Sequence, residues 1–428
     1  YHVANSNWQS IHQPITKEMI SKGHNIPEYI EEVGEEENGE ANEGVYYNRG
    51  GIESNLTRSL RDFHNLYVKK KLINSVSNRN DILIDYAVGK AGDLSKWINA
   101  NLSFVLGIDI SHDNIHNRLD GACARYLRER ATRKNIPDAL FINGDSGLNI
   151  RGGDAFKTQK EKEIIRAVFG NGPKDAKLLG QGVYNQYGVA AKGFNVSSCQ
   201  FALHYFLENK ASMHRFLKNL TECTMVNGYF IGTCFDGKTI FNLLRNKNEG
   251  ESFTIMNDDR KMFELTKMYS QTGFSSDETS LGYPINVYQE TIGKTFREYL
   301  VNFEYFTQMM ENYGFALTTK QDAPRGLPNG TGLFGELFTA MEKETKMDTR
   351  RVSDYKNAHL MTVDEKQISF MNRYFVFRKT HNVNADKIYK IIEPQREPEP
   401  EPEQPKIRKI QGKKVAIVGT FTPKKYKD

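Results

Sequence analysis

Long apolar runs are missing from this sequence: nowhere do eighteen apolar residues follow one another, and the most apolar stretches, such as the one ending Val415-Ala-Ile-Val-Gly419, are much shorter. A membrane-spanning helix is excluded, and no membrane partner is expected. Cysteine is scarce, with Cys123, Cys199, Cys223 and Cys234 the only four in 428 residues and no Cys-x-x-Cys pair among them. That excludes a disulfide framework and a zinc module, and the four are read as core fillers. No basic-then-apolar signal opens the chain, so secretion is not indicated and a reducing, intracellular compartment is expected. What remains is ordinary globular material, 38% hydrophobic and 26% charged with a formal net charge of +5. A chain of this size and composition holds two or three domains.

Charge is distributed unevenly. Glu28 to Glu43 is acidic and small, with almost nothing to bury, which makes residues 28–54 a solvated linker. Residues 1–27 carry Trp8, Ile11, Ile15, Met19 and Ile26, too few to make a core, and are expected to be the tail end of another domain. Pro398 to Pro405 alternates proline with acid, so residues 386–405 are expected to form an extended, semi-rigid connector. Residues 406–428 are basic around one strand-like run, Lys414 to Phe421. With Tyr1 rather than Met at the start, both ends read as cut from something longer.

The body, residues 55–385, alternates strand-like and helical patterns. Ile82 to Tyr86, Phe104 to Ile110, Ala139 to Ile142, Asn195 to Cys199 and Tyr229 to Thr233 read as buried strands, with a helix over Leu94 to Ile98. Such alternation specifies an α/β fold with a mostly parallel sheet covered on both faces. Ligands then lie at the carboxyl ends of the strands. The first strand ends in Asp85-Tyr-Ala-Val-Gly89-Lys90-Ala-Gly92-Asp93, a glycine-containing turn opening a helix. The second ends in Asp109, placed to accept hydrogen bonds from both hydroxyls of a ribose. Gly144-Asp145-Ser146 points to the same crevice as an adenine contact, although Asp145 fits a helix N-cap equally. Ser197-Ser-Cys-Gln200 opens toward it as well.

Ser197-Ser-Cys-Gln-Phe-Ala-Leu-His-Tyr205, taken with LIDYAVGKAGDLSKW at 83–97 and NGYFIGT at 227–233, resembles the mRNA cap guanine-N7 methyltransferases. RDFHNLYVKKKLI from Arg61, REYLVNFEYF from Arg297 and RYFVF from Arg373 extend the resemblance in collinear order. HVANSNWQSIHQPIT, before the acidic linker, is similar to the end of the guanylyltransferase part of capping enzymes of large DNA viruses. The resemblance implies a Rossmann-like fold with cap-binding insertions, S-adenosylmethionine as cofactor and 5′ capped mRNA (GpppN) as substrate. It also implies a fused or associated guanylyltransferase and triphosphatase, and a site in host cytoplasm or virion for a viral protein or in the nucleus for a cellular one. Carried over by residue, Lys69, Asp85, Gly89 and Asp93 surround the methionine part of the cofactor, Asp109 binds its ribose, and Asp145 and Ser146 meet its adenine. Gln200 forms the floor between the two ligands. Asn65, His204 and Tyr205 lie near the cap nucleoside, Glu298 and Tyr374 on its guanine, and Lys90 or nearby basic groups on the triphosphate. The turn departs from the family pattern at Ala87 and Ala91, where glycine is usual.

The chemistry fits this set without a general base. Guanine N7 has a free lone pair, so positioning by Gln200, His204, Tyr205 and Glu298 suffices, and neither a catalytic acid/base nor a metal is expected. Glu298 falls in a helix-like pattern. Lys69-Lys70-Lys71 either solubilises a helix or forms a cationic patch for RNA. Two other functions stay open: a methyltransferase of this cofactor type acting elsewhere, and a catalytically silent RNA-binding subunit.

Overall fold

The computed structural model describes residues 56–290 and 292–392; the expectations for 1–54 and for residues beyond 392 lie outside them. Helix α1 (Arg58–Asp62) widens into a π-helix (Phe63–Lys69) and tightens again as α2 (Lys70–Val76). There follow β1 (Ile82–Asp85), α3 (Leu94–Asn99), β2 (Phe104–Asp109), α4 (His112–His116), α5 (Ala122–Thr132) and β3 (Asp138–Asn143). Next come α6 (Gln159–Val168), β4 (Phe194–Gln200), a 3-10 turn (Leu203–Leu207), α7 (Lys210–Cys223), β5 (Thr224–Phe235) and α8 (Gly237–Leu243). A meander of β6 (Ser252–Asn257), β7 (Arg260–Lys267), β8 (Pro284–Gln289) and β9 (Thr295–Tyr299) interrupts the alternation. The chain closes with α9 (Phe303–Asn312), β10 (Phe315–Leu317), β11 (Thr331–Leu333), α10 (Phe334–Met347), α11 (Val363–Phe370), β12 (Asn372–Lys379) and α12 (Ala385–Ile392).

The main sheet runs β10-β12-β5-β4-β1-β2-β3, with β11 also on β12. β1 to β5 pair in parallel, and β12 is antiparallel to β5, β10 and β11. This is the α/β architecture expected. Strands buried on both faces need apolar residues at every position, which is why the runs were readable. Leu83, Val105, Val196 and Ile231 face a core shared with Phe63, Trp97 and Phe334, while Ile84, Leu106, Phe230 and Phe375 face a second core with Phe216 and Met310. Strand order departs to opposite sides of β1 toward β2 and β4, and the crevice at their carboxyl ends is where such sheets hold ligands.

Two expectations change. Glu298 lies in strand β9, not a helix; the helix starts only at Phe303, where the Asn302 side chain caps the Tyr305 N–H at 3.2 Å. The apolar residues on either side of that cap mimic one helical period. The body also runs past 385, because α12 packs Ile388 against the second core and sets Tyr389 5.5 Å from the His214 ring.

The sheet leaves no room at the centre of β5. A methyl group at Gly232 would collide with the Cys199 carbonyl oxygen and the Phe375 ring. Gly232→Ala should therefore destabilise the fold by about 1–3 kcal/mol through overpacking, read as a lower denaturation midpoint; an unchanged midpoint would contradict this packing.

Candidate active site

The turn after β1 is held by the end of β2. Val88 N–H donates to the Ile108 carbonyl at 3.0 Å, and Gly89 N–H donates to Asp109 Oδ2 at 2.8 Å. Asp109 Oδ1 accepts from Ser111 N–H at 2.9 Å and Asn114 Nδ2 at 3.0 Å. A carboxylate offers about four acceptor positions, so three bonds leave room for one more rather than a two-bond ribose clamp. Asp109 is thus a structural staple as well as the expected ribose acid. Both Gly89 and Ala91 have φ of +54°, and Cβ atoms built on Gly89 and Gly92 would face open space. The turn accepts alanine at a backbone angle that favours glycine, and it leaves a free surface for a ligand.

Charge around the turn is unbalanced toward acid. Asp93 lies 3.3 Å from Lys69 Nζ and 3.0 Å from Lys96 Nζ. Burial opposes its ionisation, but the two ammonium groups hold it below the usual carboxylate range. Lys96 was not anticipated, although its spacing after Asp93 is that of neighbours on one helix face. Asp85 is buried and accepts from Ala87 N–H at 3.1 Å. Burial first, and then the Asp93 charge, push it up to about 7. A carboxyl so placed suits a cationic ligand, and S-adenosylmethionine carries both an ammonium and a sulfonium.

Several expected contacts are engaged inside the protein. Ser146 Oγ donates to the Tyr86 carbonyl at 2.7 Å, a buried bond, so its hydroxyl ties two loops together. Asp145 Oδ1 accepts from Gly147 N–H at 2.7 Å, and no helix begins there. Asn65 Nδ2 donates to the Arg61 carbonyl at 3.0 Å within its own helical run. Lys90 is buried between Asp113 at 3.1 Å and Asp120 at 2.9 Å, so its charge is balanced locally.

The other expected residues gather. Gln200, Thr233 and Tyr374 sit side by side across β4, β5 and β12. Thr233 Oγ1 donates to Gln200 Oε1 at 3.2 Å, and Gln200 Nε2 donates to Ser198 Oγ at 3.2 Å. The Tyr374 hydroxyl is buried, which raises its pKa. Phe201 then turns the chain with φ of +56° into the 3-10 turn bearing His204 and Tyr205. His204 Nδ1 lies 3.5 Å from Glu298 Oε2, and both side chains are buried. Neither ring nitrogen of His204, nor Glu298 Oε2, has a hydrogen-bond partner among the described residues. Burial lowers His204 to about 3 and raises Glu298 to about 8, so near neutrality both are uncharged. Unpaired buried polar groups cost about 1–3 kcal/mol each, and a polar ligand would relieve that cost. Tyr205 is partly exposed and meets the His204 ring at 4.2 Å.

The π-helix was not foreseen. Such segments are rare and concentrate at functional sites. This one carries His64, Asn65 and Lys69, and His64 stacks on Phe201 at 5.2 Å while its Nε2 lies 2.8 Å from Ser369 Oγ. Lys69 Nζ stands 5.6 Å over the other ring of that stack, Phe201. Phe201 thereby links the acidic turn to the His204 segment.

Comparison with known proteins gives a consistent picture. A family described as the mRNA (guanine-N(7))-methyltransferase domain matches residues 47–380. A protein named as a probable mRNA-capping enzyme of Acanthamoeba polyphaga mimivirus is 29% identical over 415 residues, covering 91% of this chain and 33% of that protein. The mRNA cap guanine-N(7) methyltransferase 1 of Arabidopsis thaliana is 28% identical over 257 residues, 59% of this chain and 58% of that one. The mRNA cap guanine-N(7) methyltransferase of Saccharomyces cerevisiae is 24% identical over 350 residues, 78% and 69% respectively. The chain thus spans a third of the viral relative's length and a little over half of the plant one's.

The elevated Asp85 carboxyl yields a pH test. Below about pH 7 it holds a proton that a cationic ligand must displace, so S-adenosylmethionine affinity should weaken by up to about tenfold per unit of falling pH. Above pH 7 affinity should level off. Calorimetry between pH 5.5 and 8 reads both affinity and proton release; a flat profile would separate Asp85 from the cationic ligand.

Proposed function

We propose, for a chain that belongs to the mRNA (guanine-N(7))-methyltransferase family, that its body methylates N7 of the guanosine in a 5′ GpppN cap with S-adenosylmethionine as donor. The observation that carries this reading is the buried His204–Glu298 pair, in which both ring nitrogens and Glu298 Oε2 have no hydrogen-bond partner among the described residues. Glu298 is acceptor-only when ionised, and guanine offers two adjacent donors, a ring N–H and an amino group. Those donors favour the ionised carboxylate. His204, kept neutral by burial, donates from one ring nitrogen and accepts at the other. Gln200 and Tyr374 border the same crevice, and Asp85, Asp93 and Lys69 flank the methionine side.

S-adenosylmethionine supplies an electrophilic methyl group on sulfonium. N7 already has its lone pair free, so this chain's residues need only hold it in line with that carbon, and orientation can supply about 7–11 kcal/mol of the barrier. Glu298 also sets a negative charge against the cation that develops on guanine. The substrate, a GpppN end, is the product of a guanylyltransferase, fused or associated. The viral relative is named a capping enzyme and is about three times as long as its match here, which supports that arrangement.

The experiment is methyl transfer from a radiolabelled donor to GpppA. Wild type should methylate it, and kcat/KM should rise with pH to about 8, where free Glu298 ionises. Glu298→Gln should lose about a hundredfold in rate and the pH rise with it, while cofactor affinity stays near wild type. An inosine cap should be a poorer substrate for wild type. A wild type indifferent to the amino group, or a mutant as fast as wild type, removes Glu298 from the guanine site.

A further inference from the structure

Two cavities adjoin past the carboxyl end of β5 and share Lys238. One, of about 390 Å³, is lined by Asp236, Phe303, Gln308, Thr331 and Arg373 among others; the second, of about 260 Å³, by Phe241, Asn242, Arg245, Thr272 and Phe274. Neither is lined by the acidic turn or by the His204–Glu298 pair. Chain continuity nevertheless sets them beside it. Phe303 follows Glu298 by five residues, at most about 18 Å even if fully extended, and Gly237 N–H donates to the Val301 carbonyl at 3.1 Å, holding the start of α8 against this segment.

The lining sets cations beside aromatic rings, of which Phe303 and Phe241 are largely buried and Phe274 is partly exposed. Arg373 is bound by Asp236 at 2.7 Å and by Thr331 at 3.2 Å, and its guanidinium lies 4.7 Å over the Phe303 ring. Its charge is thus balanced, and what it contributes is a planar face. Phe241 and Phe274 stack at 5.3 Å, nearly parallel. Arg245 is exposed and has no carboxylate within ion-pair distance among the described residues. Lys238 pairs with Glu304 at 2.6 Å, but the side chains are 44% and 60% exposed, so the pair is weak and a phosphate can replace Glu304.

Cations for phosphates interleaved with aromatic planes for bases are the requirements of a single-stranded nucleic acid. An acidic protein segment would use the cations and leave the partly exposed Phe274 ring and the Arg373 plane idle. We propose that this groove binds the transcript itself, the single-stranded RNA that continues from the capped nucleotide. The inference rests on the cap-methyltransferase reading, since that reading supplies a substrate with a trailing chain.

The test compares GpppA with a capped oligoribonucleotide of about fifteen nucleotides, long enough for several phosphate and base contacts, in wild type and in the double variant Lys238→Glu/Arg245→Glu. Both side chains are exposed, so folding should be unaffected. Expected is a KM for the capped oligomer raised about tenfold or more at low salt, with the salt dependence of its binding reduced by about two units of slope. KM for GpppA and affinity for S-adenosylmethionine should stay within about twofold, because neither ligand reaches the groove. An oligomer KM that does not move overturns the proposal, whatever else binds there. Equal losses on both substrates overturn it too, as a structural effect. A wild type inactive on GpppA would strike the cap reading and not the groove, which fluorescence anisotropy of the same labelled oligomer then decides: undiminished binding by the double variant refutes it.

Discussion

Three donors converge on the carboxylate of Asp109, the Gly89 N–H from the turn after β1 and the Ser111 and Asn114 groups that open the segment after β2. This knot fixes the ends of the neighbouring strands β1 and β2 relative to one another. The turn at Gly89 and Ala91 keeps its left-handed backbone because Asp109 and the Ile108 carbonyl hold it there. That turn in its place sets the helix with Asp93 and Lys96, and with them the pairing that draws Lys69 of the π-helix to the crevice. A single buried acid thereby sets the geometry of the whole acidic turn and the groups paired with it.

Burial does the electrical work on both sides of the crevice. Asp85 and Glu298 are raised and His204 is lowered for the same reason, that a charge without a partner is unfavourable away from water. Near neutrality His204 and Glu298 are therefore uncharged and Asp85 is partly so. Ligand cations and donors restore the charges, so binding and ionisation are coupled. Under the proposed function, that coupling suits a methyl transfer that creates a cation on guanine, because the Glu298 carboxyl is in place to become the countercharge.

Strain marks the same places. Ala91 and Phe201 both have positive φ, at about 1–2 kcal/mol for a residue with a side chain, and Phe63–Lys69 runs as a π-helix. Such departures persist where surrounding contacts over-determine them. At Phe201 these contacts are visible: its N–H donates to the Thr233 carbonyl and hydroxyl, and its ring lies against His64. Relaxing that residue would shift Gln200 and His204 on either side of it.

By itself the sequence determined the strands and their order of chemistry. Apolar runs between turns mark strands buried on both faces, since that burial imposes its demand on each residue locally. The acid at the end of β2 and the glycine turn after β1 were legible for the same reason, being fixed by position along the chain. The tertiary structure alone decided the rest. Lys90 meets Asp113 and Asp120, Ser146 meets the Tyr86 carbonyl, and His204 meets Glu298 from a different sheet. Glu298 itself belongs to a strand and not to the apparent helix, because the Asn302 cap delays the helix until Phe303. Hydrogen bonds and desolvation depend on which groups lie within a few ångströms, and neighbours brought together from distant parts of the chain leave no periodic trace in it.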